Sequence, residues 1–301
     1  APSPSQSVPT QGGRCGVKFA SITNGARSGI AIATDDTGLK GLFEGESGYP
    51  GSLDDLVASG AGSLTAAGKA LQGAPALDAE QVTFLPPLRR AGKLLCIGLN
   101  YADHSAEGGF AVPDYPTVFA RFNTSLVGHG QPLIKPQASD QFDYEGEVVA
   151  VIGKSGRHIS KESALDHVIG YSLFNDATAR DFQMRTPQWT VGKNFDGTGA
   201  FGPYLVTSES LPSGCAGISL ETRLNGEAVQ SASTDSLVFD IATLVSTLSE
   251  AMTLEPGDII ITGTPAGVGF ARKPQLFMKA GDVCEVEATD LGVLSNPVAD
   301  E

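Results

Sequence analysis

One stretch limits the fold more than any other: Asp143-Tyr144-Glu145-Gly146-Glu147 runs without a break into Val148-Val149-Ala150-Val151-Ile152-Gly153. The apolar run is rich in β-branched residues and ends at a glycine, so it reads as a buried strand. Side chains alternate across a strand, which puts Glu145 and Glu147 on one face, a few ångströms apart. Two neighbouring carboxylates repel, and each resists leaving water unless positive charge lies between them. A hard divalent cation meets that need, because Mg²⁺, Mn²⁺ and Ca²⁺ take oxygen ligands. The competing reading is a solvated strand edge, where paired acids cost little.

The chain around this stretch is long enough, at 301 residues, for one large domain or two unequal ones. Its 34 acidic against 20 basic side chains leave a formal net charge of -14. That balance argues against a nucleic-acid backbone or an anionic membrane surface as partner, but not against a small anionic substrate met by local charge. No apolar run is long enough to cross a bilayer. The 37 Gly and 18 Pro suit many turns and short strands better than a helical bundle. Cys15, Cys96, Cys215 and Cys284 are scattered without a CxxC pair, as reduced and partly buried thiols would be. The start, Ala1-Pro2-Ser3-Pro4-Ser5, lacks the basic and apolar regions of an intact secretory signal, so the expected compartment is cytoplasmic.

Residues 1–13, rich in Pro, Ser, Gln and Gly, read as a flexible N-terminus. Val17–Ala20 and Gly29–Ala33 then read as hairpin strands around Asn24-Gly25, and Leu53 to Leu71 has helical spacing broken by Gly60 and Gly62. Pro86-Pro87 and the basic run after it read as a linker. Leu94–Leu99 is a short buried strand that leads into Asn100 through Gly109, where His104 and Glu107 stand three apart. If Asp103 caps a single helical turn, that pair shares a face, and a His backed by a carboxylate is a serviceable general base. A plain surface turn is the alternative. Arg121, in an alternating run, either faces an anion or lies in solvent at a strand edge.

Val168–Phe174 is the next strand, and Asp176 just beyond it is a candidate third metal ligand or else the N-cap of a helix starting near Ala177. Lys193, among turn residues, is placed either to steady developing negative charge or simply in a solvated loop. Leu220–Val229 is a hairpin about Asn225-Gly226, Ile241–Met252 an amphipathic helix, and Ile259–Thr262 a buried strand. The glycines of Gly263–Gly269 fit neither a P-loop nor a dinucleotide fingerprint, although the turn's N–H groups suit a carboxylate. His129, His158 and His167 lack partners at a meaningful spacing and read as structural.

Taken in order, these segments resemble the fumarylacetoacetate hydrolase family. The resemblance rests on Gly98–Glu107, Asp143–Glu147, Asn175–Asp181, Gly192–Asp196, Leu224–Glu227 and Pro256–Gly269, and runs over roughly residues 92–299. It implies an α+β, β-rich fold, a mixed β-sandwich roll at 91–301, with a small N-terminal α+β module at 14–90. It also implies Mg²⁺ or Mn²⁺ on Glu145, Glu147 and Asp176, and a His104–Glu107 dyad on a short lid helix. Lys193 would face a bound oxo-acid, while Arg121, Gln183 and Thr264 would contact it. A homodimer is expected.

The acylpyruvase-like branch is the nearest in kind, so the expected reaction is hydrolysis of a C–C bond in a 2,4-dioxo acid such as fumarylpyruvate or acetylpyruvate, giving pyruvate and a carboxylic acid. His104, oriented by Glu107, would take a proton from water for attack at C4, and the cation and Lys193 would stabilise the pyruvate enolate released. The same constellation serves oxaloacetate decarboxylation or isomerisation of a 2-hydroxy-diene-dioate, and a relative that kept the fold and lost the chemistry is the alternative of another class.

Overall fold

The strand Gly146–Ile152 has all seven residues buried and runs antiparallel to both Val168–Asp176 and Ile259–Ile261. In this computed structural model, which describes residues 16–34, 38–109 and 111–301, these three strands lie within a sheet of 12 strands. A run of β-branched residues needs apolar cover on both faces, and it has it. One face packs on a second sheet of 5 strands, the other on the helices Leu53–Ala58 and Ala61–Gln72. The architecture is therefore β-rich, with few helices and mixed pairing. The expected stretch of 1–13 and Cys15 lie outside the described residues.

Directionality gathers the site. Glu147 stands near the start of its strand, and Asp176 at the end of the antiparallel neighbour, so both reach one edge of the sheet. Ile259–Ile261 runs parallel to Leu94–Gly98, so the segments leaving both strands, Gly263 onward and Leu99 onward, emerge at that same edge. After the Thr117–Arg121 strand the chain returns through Leu126–Val127, which pairs in parallel with Gly199–Ala200. The sheet thereby rolls round and carries Arg121 across to Asp176.

Lys18–Thr23 and Ser28–Ala33 form the expected Asn24-Gly25 hairpin, and the first of them also pairs with the strand Gly199–Thr207. Local departures from expectation have local causes. The helix Ala102–Glu107 is capped at Tyr101, not Asp103, which lies in its first turn. No helix starts near Ala177: the Val168 strand continues to Asp176, Thr178–Ala179 pairs with Phe142–Asp143, and helix begins at Arg180. Asp176 is therefore free of capping duty. Lys193 ends a helical turn, Thr190–Lys193, instead of lying in a loop. No helix among the described residues is long and apolar enough to cross a membrane.

Candidate active site

Glu145, Glu147 and Asp176 are buried, and each offers a carboxylate oxygen such that the three lie within 4.8 Å of one another. The solvated-edge reading of the glutamate pair is thus excluded. The cations around the triad are not evenly shared. Lys193, 1% exposed, donates from Nζ to Glu145 Oε2 and Asp176 Oδ2, both at 2.7 Å. Arg180 Nη1 lies 2.8 Å from Glu145 Oε1, and Arg121 binds Asp176 and donates to the Ala177 carbonyl. Among the described residues, Glu147 Oε2 accepts only the Gly263 N–H, at 2.6 Å.

The ionisation pattern follows from this asymmetry. Burial, then the charges of Asp176 and Glu145, push the Glu147 carboxyl well above the usual carboxylate range. Burial would also raise Asp176, but Lys193 and Arg121 outweigh it and hold Asp176 low. Burial alone would lower Lys193, yet the Asp176 and Glu145 charges hold it above its ordinary value, so it stays an ammonium at neutral pH. Lys193 is a fixed positive charge and not a base.

A cavity of about 460 Å³ opens over Glu145 and Glu147, while Asp176 lies off its lining, and His104, Glu107, Gln183, Thr264 and Lys193 line it with the two glutamates. His104 Nδ1 lies 2.8 Å from Glu107 Oε1, and Glu107 Oε2 accepts the Gly267 N–H at 2.9 Å. With Nδ1–H donating to Glu107, Nε2 is left as the acceptor, the arrangement of a base. Gln183 Oε1 accepts from Arg180 Nη1 at 3.0 Å. The Thr264 hydroxyl donates to the Gly146 carbonyl and accepts from Gln230 Nε2, at 2.9 and 2.8 Å.

Arg121 is placed differently from Gln183 and Thr264, the other expected substrate contacts. It is 2% exposed, lies off the cavity lining, and commits its guanidinium to Asp176, the Ala177 carbonyl, Ser125 and Thr198. His129 accepts the Ser295 N–H, and the His167 ring meets the Lys154 carbonyl; neither lines this cavity.

Two residues quoted within the sequence motifs turn out to hold the site in place. Asp143 accepts from Arg180 Nε at 2.9 Å and from the backbone N–H groups of Gly269 and Phe270, at 2.7 and 2.8 Å. Arg180 in turn bridges Asp143 and Glu145, and its Nη2, in a cavity-lining residue, has no hydrogen-bond partner among the described residues. The signal for Asp143 was its position two before Glu145, on the same alternating face. Arg180 had only its distance from Asp176 to announce it.

Three carboxylate oxygens, with no imidazole or thiolate among them, form a hard donor set that fits a divalent cation of the Mg²⁺ or Mn²⁺ type, and Glu147 is the member still without a cationic partner. Residues 93–299 match the family model described as Fumarylacetoacetate (FAA) hydrolase C-terminal. The mitochondrial oxaloacetate tautomerase of Rattus norvegicus is 41% identical over 251 residues, 83% of this chain and 80% of the relative. That of Xenopus laevis is 42% identical over 224 residues, 74% of this chain and 70% of the relative. Among solved structures, a fumarylacetoacetate hydrolase from psychrophilic Exiguobacterium antarcticum matches with a TM-score of 0.81 at 36% identity, covering 95% of this chain and 100% of that one.

Proposed function

The chain belongs to the fumarylacetoacetate hydrolase family, and from that premise we propose that it is a divalent-metal-dependent enzyme interconverting the keto and enol forms of oxaloacetate or a close 2-oxo dicarboxylic acid. The observation that carries the reading is the convergence, at one cavity, of two glutamates of a hard carboxylate triad, a fixed ammonium and a carboxylate-backed imidazole. The activity named for the tautomerases at 41% and 42% identity selects among the reactions such a site permits.

Glu145, Glu147 and Asp176 would hold Mg²⁺ or Mn²⁺, which would supply Lewis-acid polarisation of the 2-oxo acid and so acidify its C3 protons. The protein's part is positional and protonic. His104 Nε2 takes a proton from C3, with Glu107 stabilising the imidazolium. The Lys193 ammonium meets the negative charge that grows on the C2 oxygen. A proton returned to that oxygen completes the enol, and no carbon–carbon bond breaks. Gln183 and Thr264 are proposed substrate contacts from the cavity wall. For Arg121 the buried pairing with Asp176 favours an orienting role over direct contact.

A second reading, hydrolysis of an acylpyruvate, keeps support from the same dyad, which can take a proton from water instead, and from the likeness to the Exiguobacterium hydrolase. Oxaloacetate decarboxylation would share the enolate. The test is a stopped-flow measurement of oxaloacetate keto–enol exchange with the Mg²⁺- or Mn²⁺-loaded protein, alongside pyruvate release from oxaloacetate, acetylpyruvate and fumarylpyruvate. Tautomerisation faster than pyruvate release, abolished by EDTA and by Glu147→Gln with the fold intact, is the expected result. Metal-dependent pyruvate release from an acylpyruvate without accelerated exchange would sink the tautomerase reading in favour of the hydrolase. Cys96, Cys215 and Cys284 are buried free thiols, which suits a reducing compartment, cytoplasmic or mitochondrial.

A further inference from the structure

The cavity is lined by three permanent cations, Arg180, Arg185 and Lys193, and two of them are already committed. Lys193 is shared between Glu145 and Asp176, and Arg180 between Asp143 and Glu145. Arg185 is different: among the described residues no carboxylate lies within ion-pair distance of it, and its side chain makes no hydrogen bond within the protein. It is also held in place. Its guanidinium carbon lies 3.7 Å from the centre of the Phe182 ring, and Phe182 packs edge-on against Phe195 at 5.0 Å. Stacking uses the face of a guanidinium and leaves its N–H edge free, the edge that takes a carboxylate bidentately. Arg185 is exposed where it lines the cavity, so its N–H edge is open to an incoming anion, and in a chain of net charge -14 with 34 acidic side chains it is a cation that no acid has taken up among the described residues.

We propose that Arg185 reads the second carboxylate of the substrate, the one remote from the 2-oxo group, and so restricts the enzyme to dianionic 2-oxo acids. This rests on the tautomerase reading and deepens it. The substrate's 1-carboxylate end belongs to the triad, while Met184, Pro187, Trp189 and Phe270 line the cavity with apolar surface. The other lining cation with an N–H lacking a protein partner among the described residues is Arg180, whose guanidinium is buried against Glu145 at the triad, so a charged far end directed away from the triad meets Arg185. An uncharged acyl tail would gain nothing from Arg185.

The experiment compares oxaloacetate with its 4-methyl ester, on wild type, Arg185→Gln and Arg185→Lys, all Mg²⁺-loaded. For turnover, kcat/KM on oxaloacetate is expected to fall tenfold or more in Arg185→Gln, chiefly through KM, with less than a threefold loss on the ester. Arg185→Lys should recover part of the difference, since a charge without the planar fork remains. Calorimetric binding of the same two ligands tests the contact independently of catalysis. A tenfold weakening confined to the dianion supports the proposal even if tautomerisation is not the reaction. Equal effects on dianion and ester, in turnover or in binding, would overturn it. A wild type that binds the dianion in preference to the ester but does not accelerate keto–enol exchange would instead overturn the tautomerase reading and leave the carboxylate contact standing.

Discussion

Asp143 stands one alternation outside the glutamate pair and anchors more of the site than either member. Its two oxygens gather the Arg180 guanidinium and two backbone N–H groups of the Gly269-Phe270 turn, all in a residue without solvent exposure. Asp143→Ala would leave the buried Arg180 with Glu145 and Gln183 alone and orphan three N–H groups, those of Tyr144, Gly269 and Phe270. Breaking a buried ion pair from one side costs about 3–5 kcal/mol, so urea unfolding should show a loss of that order. A loss below about 1 kcal/mol, the range of exposed pairs, would mean that Arg180 is secured elsewhere. The residues that sequence made legible are those whose meaning is local. Glu145 and Glu147 declare themselves by alternation in a β-branched strand, and His104 and Glu107 by spacing on a helical turn. Arg121 and Arg180 take their meaning from pairing partners 55 and 37 positions away, Asp176 and Asp143, and no local pattern encodes those distances.

The segment after the Ile259–Ile261 strand shows what an element adds beyond its residues. Three of its turns each present backbone N–H to a carboxylate of the protein: Gly263 to Glu147, Gly267 to Glu107, and Gly269 with Phe270 to Asp143. Its glycines suggested a carboxylate cradle, and the carboxylates in it are side chains of the site. The loop thus ties the dyad, the triad and the Arg180 anchor to one piece of backbone. Gly267 is the sensitive point, because its φ is +106° and a Cβ there would lie 2.1 Å from the Val229 carbonyl oxygen. Gly267→Ala must shift the turn and slacken its hold on Glu107. Outer contacts of this kind typically carry a factor of about 10–100 in activity. The expected signature is a kcat lowered by about that factor, with Mg²⁺ affinity much less changed, since Glu147 hangs on Gly263 instead. Equal damage to metal binding and turnover would show the loop moving as one rigid unit.

The whole molecule presents an apolar surface near the cavity that one chain leaves open. Phe122, Met184 and Val191 are 53%, 55% and 62% exposed, and they belong to or adjoin the strand Thr117–Arg121 and the helices Arg180–Gln183 and Thr190–Lys193, which touch one another. The strand is the last in the order of its sheet, yet its edge is partly occupied: Asn194 donates to the Ala120 carbonyl and accepts the Phe122 N–H, in the manner of a neighbouring peptide. A second copy would therefore meet this region side chain to side chain and not by extending the sheet. We propose that this is the homodimer contact. Light scattering should give about twice the 31.0 kDa chain mass, and Phe122→Glu with Val191→Glu should return it to the monomer without loss of secondary structure. Ionic strength separates this contact from a salt-bridged one. Two chains each carrying -14 repel, and apolar packing supplies the attraction, so raising salt toward 0.15 M, where the screening length is about 8 Å, should tighten the dimer. A dimer that loosens as salt rises would place the contact on a charged surface elsewhere.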